Sequence, residues 1–167
     1  MKAARFFSAN KHYLIAAAVI LALAVTLGII LYKYKKKMRP TNPVTGKITS
    51  KYGYRTHPIT GAQTLHNGVD IGVPVGTRVL APWPGTVKSV YSNTAGGKQI
   101  IITHSNGYTT GYAHLSQQVV STGDKVEEGQ LVALSGNTGN TTGPHLHFTL
   151  RKNGELVDPE TVFDFKA

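Results

Sequence analysis

Two patterns in this chain carry residue types at spacings that could do chemistry. His145 and His147 alternate within Gly143-Pro144-His145-Leu146-His147-Phe148, and a histidine and a carboxylate lie four apart, His66 and Asp70, in Leu65-His66-Asn67-Gly68-Val69-Asp70. On a strand, successive side chains point to opposite faces, so His145 and His147 share one face and Leu146 and Phe148 the other. A separation of four on an extended segment likewise returns His66 and Asp70 to one side, with Gly68 allowing close backbone approach. His66, Asp70 and one histidine of the His145/His147 pair would supply two imidazoles and one carboxylate, leaving a fourth tetrahedral position for water. That is the composition of a catalytic zinc site rather than a closed structural one. Each pattern alone has an ordinary explanation, strand patterning for the histidine pair and a solvated turn for His66 and Asp70; their co-occurrence favours the metal.

Zinc lowers the pKa of a bound water to roughly 7, but hydrolysis also needs a group to accept its proton and groups to steady an oxyanion. The helical HExxH device, with its glutamate, is absent from the sequence. Histidines must serve instead: the member of the His145/His147 pair that does not bind metal, and His114 in Gly111-Tyr112-Ala113-His114-Leu115-Ser116, at the end of an expected strand. Taken alone, His114 reads as a capping or core histidine, and His104 as a solvated loop residue. The chain has no cysteine, which excludes disulfides and thiolate ligands.

Short strands are what must position these groups. Beta-branched and apolar runs at 77–80, 86–91, 99–103, 108–112, 130–134 and 145–150 alternate with Gly, Pro and Asn punctuation. No helical apolar period is visible among them, so an all-β domain of packed or partly closed sheets is expected. An internal echo links Gly76-Thr77-Arg78-Val79 and Gly85-Thr86-Val87 with Gly123-Asp124-Lys125-Val126 and Gly129-Gln130-Leu131-Val132. Lipoyl and biotinyl carrier domains share such glycine-spaced strands, but they need a modifiable lysine at a hairpin tip, which is not found here.

The formal net charge of +10 points to nucleic acid or a membrane until it is divided along the chain. Residues 1–39 hold eight Lys or Arg and no acid, whereas residues 40–167 hold ten basic residues against eight acidic ones. Without a basic stripe in the folded part, no nucleic-acid partner is expected. Residues 13–32 carry no charge, and at about 1.5 Å per residue they span a hydrocarbon core of about 30 Å. Tyr13 and Tyr32 suit the two interfaces, and Lys33, Lys35, Lys36 and Lys37 suit anionic headgroups. The expected organisation is a short basic N-terminal segment (1–12), a transmembrane helix that engages the lipid bilayer (13–32), a basic juxtamembrane linker (33–45) and one compact domain (46–167). The polybasic sequence after the span argues against a cleaved signal peptide. Three positive charges precede the span and five follow it, which by the positive-inside tendency favours a cytoplasmic C-terminal domain.

Five motifs occur in order: Tyr52-Gly53-Tyr54-Arg55-Thr56-His57-Pro58-Ile59-Thr60-Gly61, His66-Asn67-Gly68-Val69-Asp70, Ala81-Pro82-Trp83-Pro84-Gly85-Thr86-Val87, Tyr112-Ala113-His114-Leu115-Ser116 and Thr142-Gly143-Pro144-His145-Leu146-His147-Phe148. Through them the chain resembles the lysostaphin-like (LytM-type) zinc endopeptidases over roughly residues 46–160. The resemblance implies a compact, mostly antiparallel β-sheet domain of duplicated, hybrid-motif-like architecture, hydrolysing peptide bonds in peptidoglycan stems or cross-bridges. It implies one Zn2+ per chain on His66, Asp70 and His147, with His114 and His145 as the catalytic histidines. All five are present, whereas some relatives have lost ligands and act as non-catalytic wall-binding or hydrolase-activating modules, the alternative reading. Thr149 departs from a glutamate common at this place in relatives, and Arg55, His57 and Thr149 are expected at the groove rim. A peptidoglycan substrate places the domain in the periplasm or cell-wall space, against the charge bias, or on the membrane of a phage virion.

Overall fold

The computed structural model describes residues 2–37, 40–56 and 62–166. The chain divides into two units, Met1–Arg39 and Pro40–Ala167. In the first, α1 (Lys2–Lys37) is a single helix. Its Ala- and Leu-rich centre favours helix, and the one central hydroxyl, on Thr26, donates back to the Ala22 carbonyl at 2.7 Å. Tyr13–Leu31 is long and apolar enough to cross a membrane, with none of it buried; a signal sequence meets the same criterion.

The second unit is built from β1 (Lys47–Ser50), β2 (Gly53–Thr56), β3 (Gln63–His66), β4 (Val69–Gly72), β5 (Arg78–Leu80), β6 (Gly85–Asn93), β7 (Gly97–His104), β8 (Tyr108–Leu115), β9 (Gln117–Gln118), β10 (Lys125–Val126), β11 (Leu131–Leu134), β12 (Leu146–Lys152) and β13 (Glu155–Val157). The main sheet runs β1-β4-β12-β8-β7-β6-β10, with β13 also on β12; a second sheet runs β5-β11-β9, and β2 and β3 form a separate hairpin. Pairing is antiparallel throughout these ladders. The fold is therefore all-β and mostly antiparallel, after one N-terminal apolar helix.

Alternation builds the core. On β12, Leu146, Phe148 and Leu150 are fully buried, while His147 and Thr149 face the other way. Ile100 and Ile102 of β7 and Tyr112 of β8 continue this apolar layer, with Val79 and Val132 contributed by the second sheet. Phe163 and Phe165 close it from the C-terminal side against the Phe148 ring. Fully burying side chains of this size stabilises by about 1.5–3 kcal/mol each, so β12 is held inward by its apolar residues, leaving its polar ones outward.

The sequence echo has a structural counterpart. A glycine with positive φ precedes β5 (Gly76, φ 87°) and β10 (Gly123, φ 94°). The first strand of each copy then pairs with the second strand of the other, β5 with β11 and β10 with β6. His104 differs from expectation: it is the last residue of β7 and only 3% exposed. Its Nδ1 lies 3.2 Å from the Pro84 carbonyl, and its Nε2 lies 2.8 Å from Thr110 Oγ1, which is 3.0 Å from the Tyr112 hydroxyl. These partners make burial of its polar atoms tolerable.

Candidate active site

Strand register brings the first two groups together. β4 and β12 pair so that Asp70 and His147 are direct cross-strand partners, the arrangement that places side chains on one face about 5 Å apart at Cβ. Asp70 Oδ1 is 2.7 Å from His147 Nδ1. His66 arrives from the end of β3 through Asn67 and Gly68, and its Nε2 lies 3.2 Å from both Asp70 Oδ1 and His147 Nδ1. Gly68 is required here because a Cβ would collide with the Phe148 carbonyl on β12.

Each ring is oriented from behind. His66 Nδ1 donates to the Lys51 carbonyl at 2.7 Å, and His147 Nε2 donates to Asn67 Oδ1 at 3.0 Å. These bonds assign the outer nitrogens as N–H, so each inner nitrogen either carries a proton shared with Asp70 or, once that proton leaves, offers a lone pair to a metal. Burial pushes the Asp70 carboxyl upward, but hydrogen bonds from His147 and His66, reinforced by their charges, hold it well below the usual carboxylate range. The hydrogen bond to Asp70 raises His66 above the ordinary histidine value, with burial opposing. Two imidazole nitrogens and an ionised oxygen thus converge at separations of 2.7, 3.2 and 3.2 Å. Ligands 2.0–2.1 Å from a tetrahedral ion stand about 3.3 Å apart, so His66, Asp70 and His147 fit a metal ion.

His145 and His114 flank this triangle. His145 precedes β12 and is tied to Gly136 by a β-bridge. Its Nδ1 donates to the Gly143 carbonyl at 2.8 Å, turning Nε2 inward to 3.7 Å from Asp70 Oδ1. His114 reaches the site through an irregularity in β8. Lys98 pairs with Leu115 and Ile100 with Tyr112, so Ala113 and His114 together oppose the single residue Gln99. This is a β-bulge, and His114 has φ 60° within it. Strict alternation from buried Tyr112 would send His114 into the core; the extra residue re-aims it into the cleft. Its Nδ1 donates to the Thr138 carbonyl at 2.8 Å, and its ring centroid stands 4.7 Å from that of His145. Burial lowers the pKa of His114, which favours the neutral imidazole with an accepting Nε2.

Thr138 fastens this corner. Its hydroxyl donates to the Leu115 carbonyl at 2.7 Å and accepts from Lys98 N at 3.0 Å. Asn140 N donates to the Ala95 carbonyl at 2.9 Å, locking residues 137–140 against the β6–β7 turn. The five groups open into a cleft of about 720 Å³, whose walls include Arg55, Asn140 and Thr141. Arg55 Nη1 donates to Ser50 Oγ at 2.9 Å. Thr149 lies one alternation beyond His147 on β12, opposite Gly111 and beside an adjoining recess. His57 lies outside the described residues. Sequence reasoning did not single out Asn67 or Thr138. Asn67 adjoins His66 in the motif and could have been found there; Thr138 orients His114 through its carbonyl, a group every residue carries.

Residues 64–159 match peptidase family M23. The peptidoglycan DD-endopeptidase ShyC of Vibrio cholerae is 43% identical over 108 residues, 65% of this chain and 25% of that protein. A zinc-containing peptidase from Vibrio cholerae superposes with a TM-score of 0.67 at 38% identity, covering 72% of this chain and 37% of the other. The catalytic domain of the antimicrobial peptidase lysostaphin from Staphylococcus simulans superposes with a TM-score of 0.61 at 34% identity, covering 70% and 90%. The chain spans about a quarter of the length of the curated relatives it matches.

Proposed function

This chain belongs to peptidase family M23, and from that we propose that it is a membrane-anchored, zinc-dependent endopeptidase that hydrolyses peptide bonds in the stems or cross-bridges of peptidoglycan. One observation carries the reading: four imidazoles, each fixed at one nitrogen by a protein acceptor, converge on one ionised carboxylate in an open cleft. His66 Nε2, Asp70 Oδ1 and His147 Nδ1 would hold the zinc. When bound, zinc supplies Lewis-acid activation of a water and of the scissile carbonyl. His114 and His145 each present Nε2 beside that centre, the first favoured as neutral by burial, to take up a proton or to donate to developing oxyanion charge. Thr138 and Gly143 hold these two rings in position through their carbonyls. DD-endopeptidase activity in the name of the ShyC relative supports peptidoglycan as the substrate.

The apolar stretch Tyr13–Leu31 supports the anchor, and a wall substrate calls for the β unit on the outer side of the membrane. The test uses the full chain in detergent, assayed for bound zinc and for digestion of purified wall. The wild type is expected to bind about one zinc and solubilise wall, and His145→Ala to keep the metal while losing digestion. A chain that binds no zinc, or a variant that digests wall as well as the wild type, overturns the enzymatic reading. Protease protection in sealed vesicles tests the orientation: exposure of the β unit on the cytoplasmic side would reverse it.

A further inference from the structure

The polar face of β12 does not end at the candidate site. Thr149 and Arg151 follow His147 on the same side, separated by buried Phe148 and Leu150. A recess of about 200 Å³ runs along them, and Asn67, Gln99, Ala113 and His147 line both it and the main cleft, so the two are continuous. Across the register, Ala113 faces His147 and Gly111 faces Thr149. These small residues keep the sheet floor low, and a Cβ on Gly111 would collide with Thr149 Oγ1.

Arg151 ends this extension. Its Nη1 donates to the Gly154 carbonyl at 2.9 Å, which steadies the guanidinium while using one of its five N–H donors. Among the described residues no carboxylate forms an ion pair with it. Neighbouring Lys152 is committed elsewhere, with Nζ 4.0 Å from the Tyr108 ring centre and 2.6 Å from the Asn106 carbonyl. Among the described residues, Asp70, held between His66 and His147, is the only acid lining either cavity. An open channel ending in a guanidinium without an ion-pair partner among the described residues suits an anionic chain.

We propose that the recess is a subsite for a carboxylate of the substrate peptide, received by Arg151. The inference rests on the peptidase reading and deepens it. A planar guanidinium matches a carboxylate bidentately, and a peptide that accepts a cross-link on a side-chain amine keeps its own C-terminal carboxylate. From His147 to Arg151 is four residues of strand, about 13 Å, so the recognised carboxylate lies about three to four extended residues from the bond that is cut. The subsite selects carboxylate over carboxamide at that position.

The test compares two cross-linked wall peptides, identical except that the free carboxylates of one are carboxamides in the other, with the zinc-loaded full chain in detergent. The wild type is expected to show kcat/KM about tenfold lower on the carboxamide, mainly through KM, as for loss of a charge-assisted hydrogen bond. Arg151→Gln should reduce cleavage of the carboxylate peptide to the carboxamide level and leave the carboxamide peptide unaffected, with Arg151→Lys recovering part of the preference. A variant that keeps the preference, or loses activity equally on both peptides, overturns the subsite. Equal cleavage of both by the wild type overturns the subsite alone; cleavage of neither overturns the peptidase reading with it.

Discussion

At the scale of single residues, the site depends on what stands behind each imidazole. Asn67 accepts from His147 Nε2 and thereby holds Nδ1 toward Asp70. Asn67→Ala should weaken zinc binding by about 10–100-fold, the usual effect of removing a partner behind a ligand histidine, measured by competition with a chromogenic chelator. Unchanged affinity would mean that the ring is oriented by packing alone. His104 offers a second test, away from the cleft. Burial lowers its pKa, so as pH falls below about 6.5 the unfolded chain takes up a proton that the folded chain refuses. Stability is therefore lost on acidification from that point until the lower folded value is reached, and is unaffected above it. His104→Gln should show a smaller drop in urea midpoint between pH 7.5 and 5.5 than the wild type; an equal drop would assign the acid sensitivity elsewhere. His145 and His147 were legible as a pair because a spacing of two matches the period of extended chain, whereas His66 and Asp70 do not share one extended segment: the chain breaks at Asn67 and Gly68 between β3 and β4 and brings them together from two strands. Which member of the His145/His147 pair meets Asp70 was not legible, because cross-strand register is set by residues far apart in sequence.

Among the elements, the bulge in β8 is the feature that pattern reading could not supply. Alternation in residues 108–112 is visible in the sequence, but the extra residue at Ala113 and His114 appears only in the register with β7, and chain distant in sequence packs against it. Gly136 is one such support: a Cβ there would collide with Ser116 N and the His114 carbonyl. Gly136→Ala should destabilise the β unit by about 1–3 kcal/mol and, because it displaces the His114 backbone, cut turnover with metal content unchanged. Denaturant melts, zinc content and kcat on one preparation check this; full turnover would show that the bulge tolerates the displacement. The longer β6, β7, β8 and β12 were visible from their apolar runs, whereas two-residue strands such as β9 and β10 carry no period and exist through distant partners. The echo around Gly76 and Gly123 was readable, but the exchange of strands between its copies became visible only in the pairing.

For the molecule as a whole, the charge distribution and the fold separate along the same line, with the basic excess in the helical unit and near-balance in the β unit. The full chain should float with vesicles after an alkaline wash, and a variant with Leu21, Leu23 and Leu27 each replaced by Arg should remain in the aqueous fraction. Flotation of that variant would show that the apolar stretch is not what holds the chain to the membrane. The β unit has a further consequence built into one wall of its cleft. Asn140 and Thr141 border the opening, while Thr138, two residues back, supplies the carbonyl that fixes His114. Displacing this segment outward would carry the Thr138 carbonyl with it and release the His114 ring. One side of the opening and the support of the His114 ring are thus a single stretch of chain, and widening the cleft there loosens the imidazole.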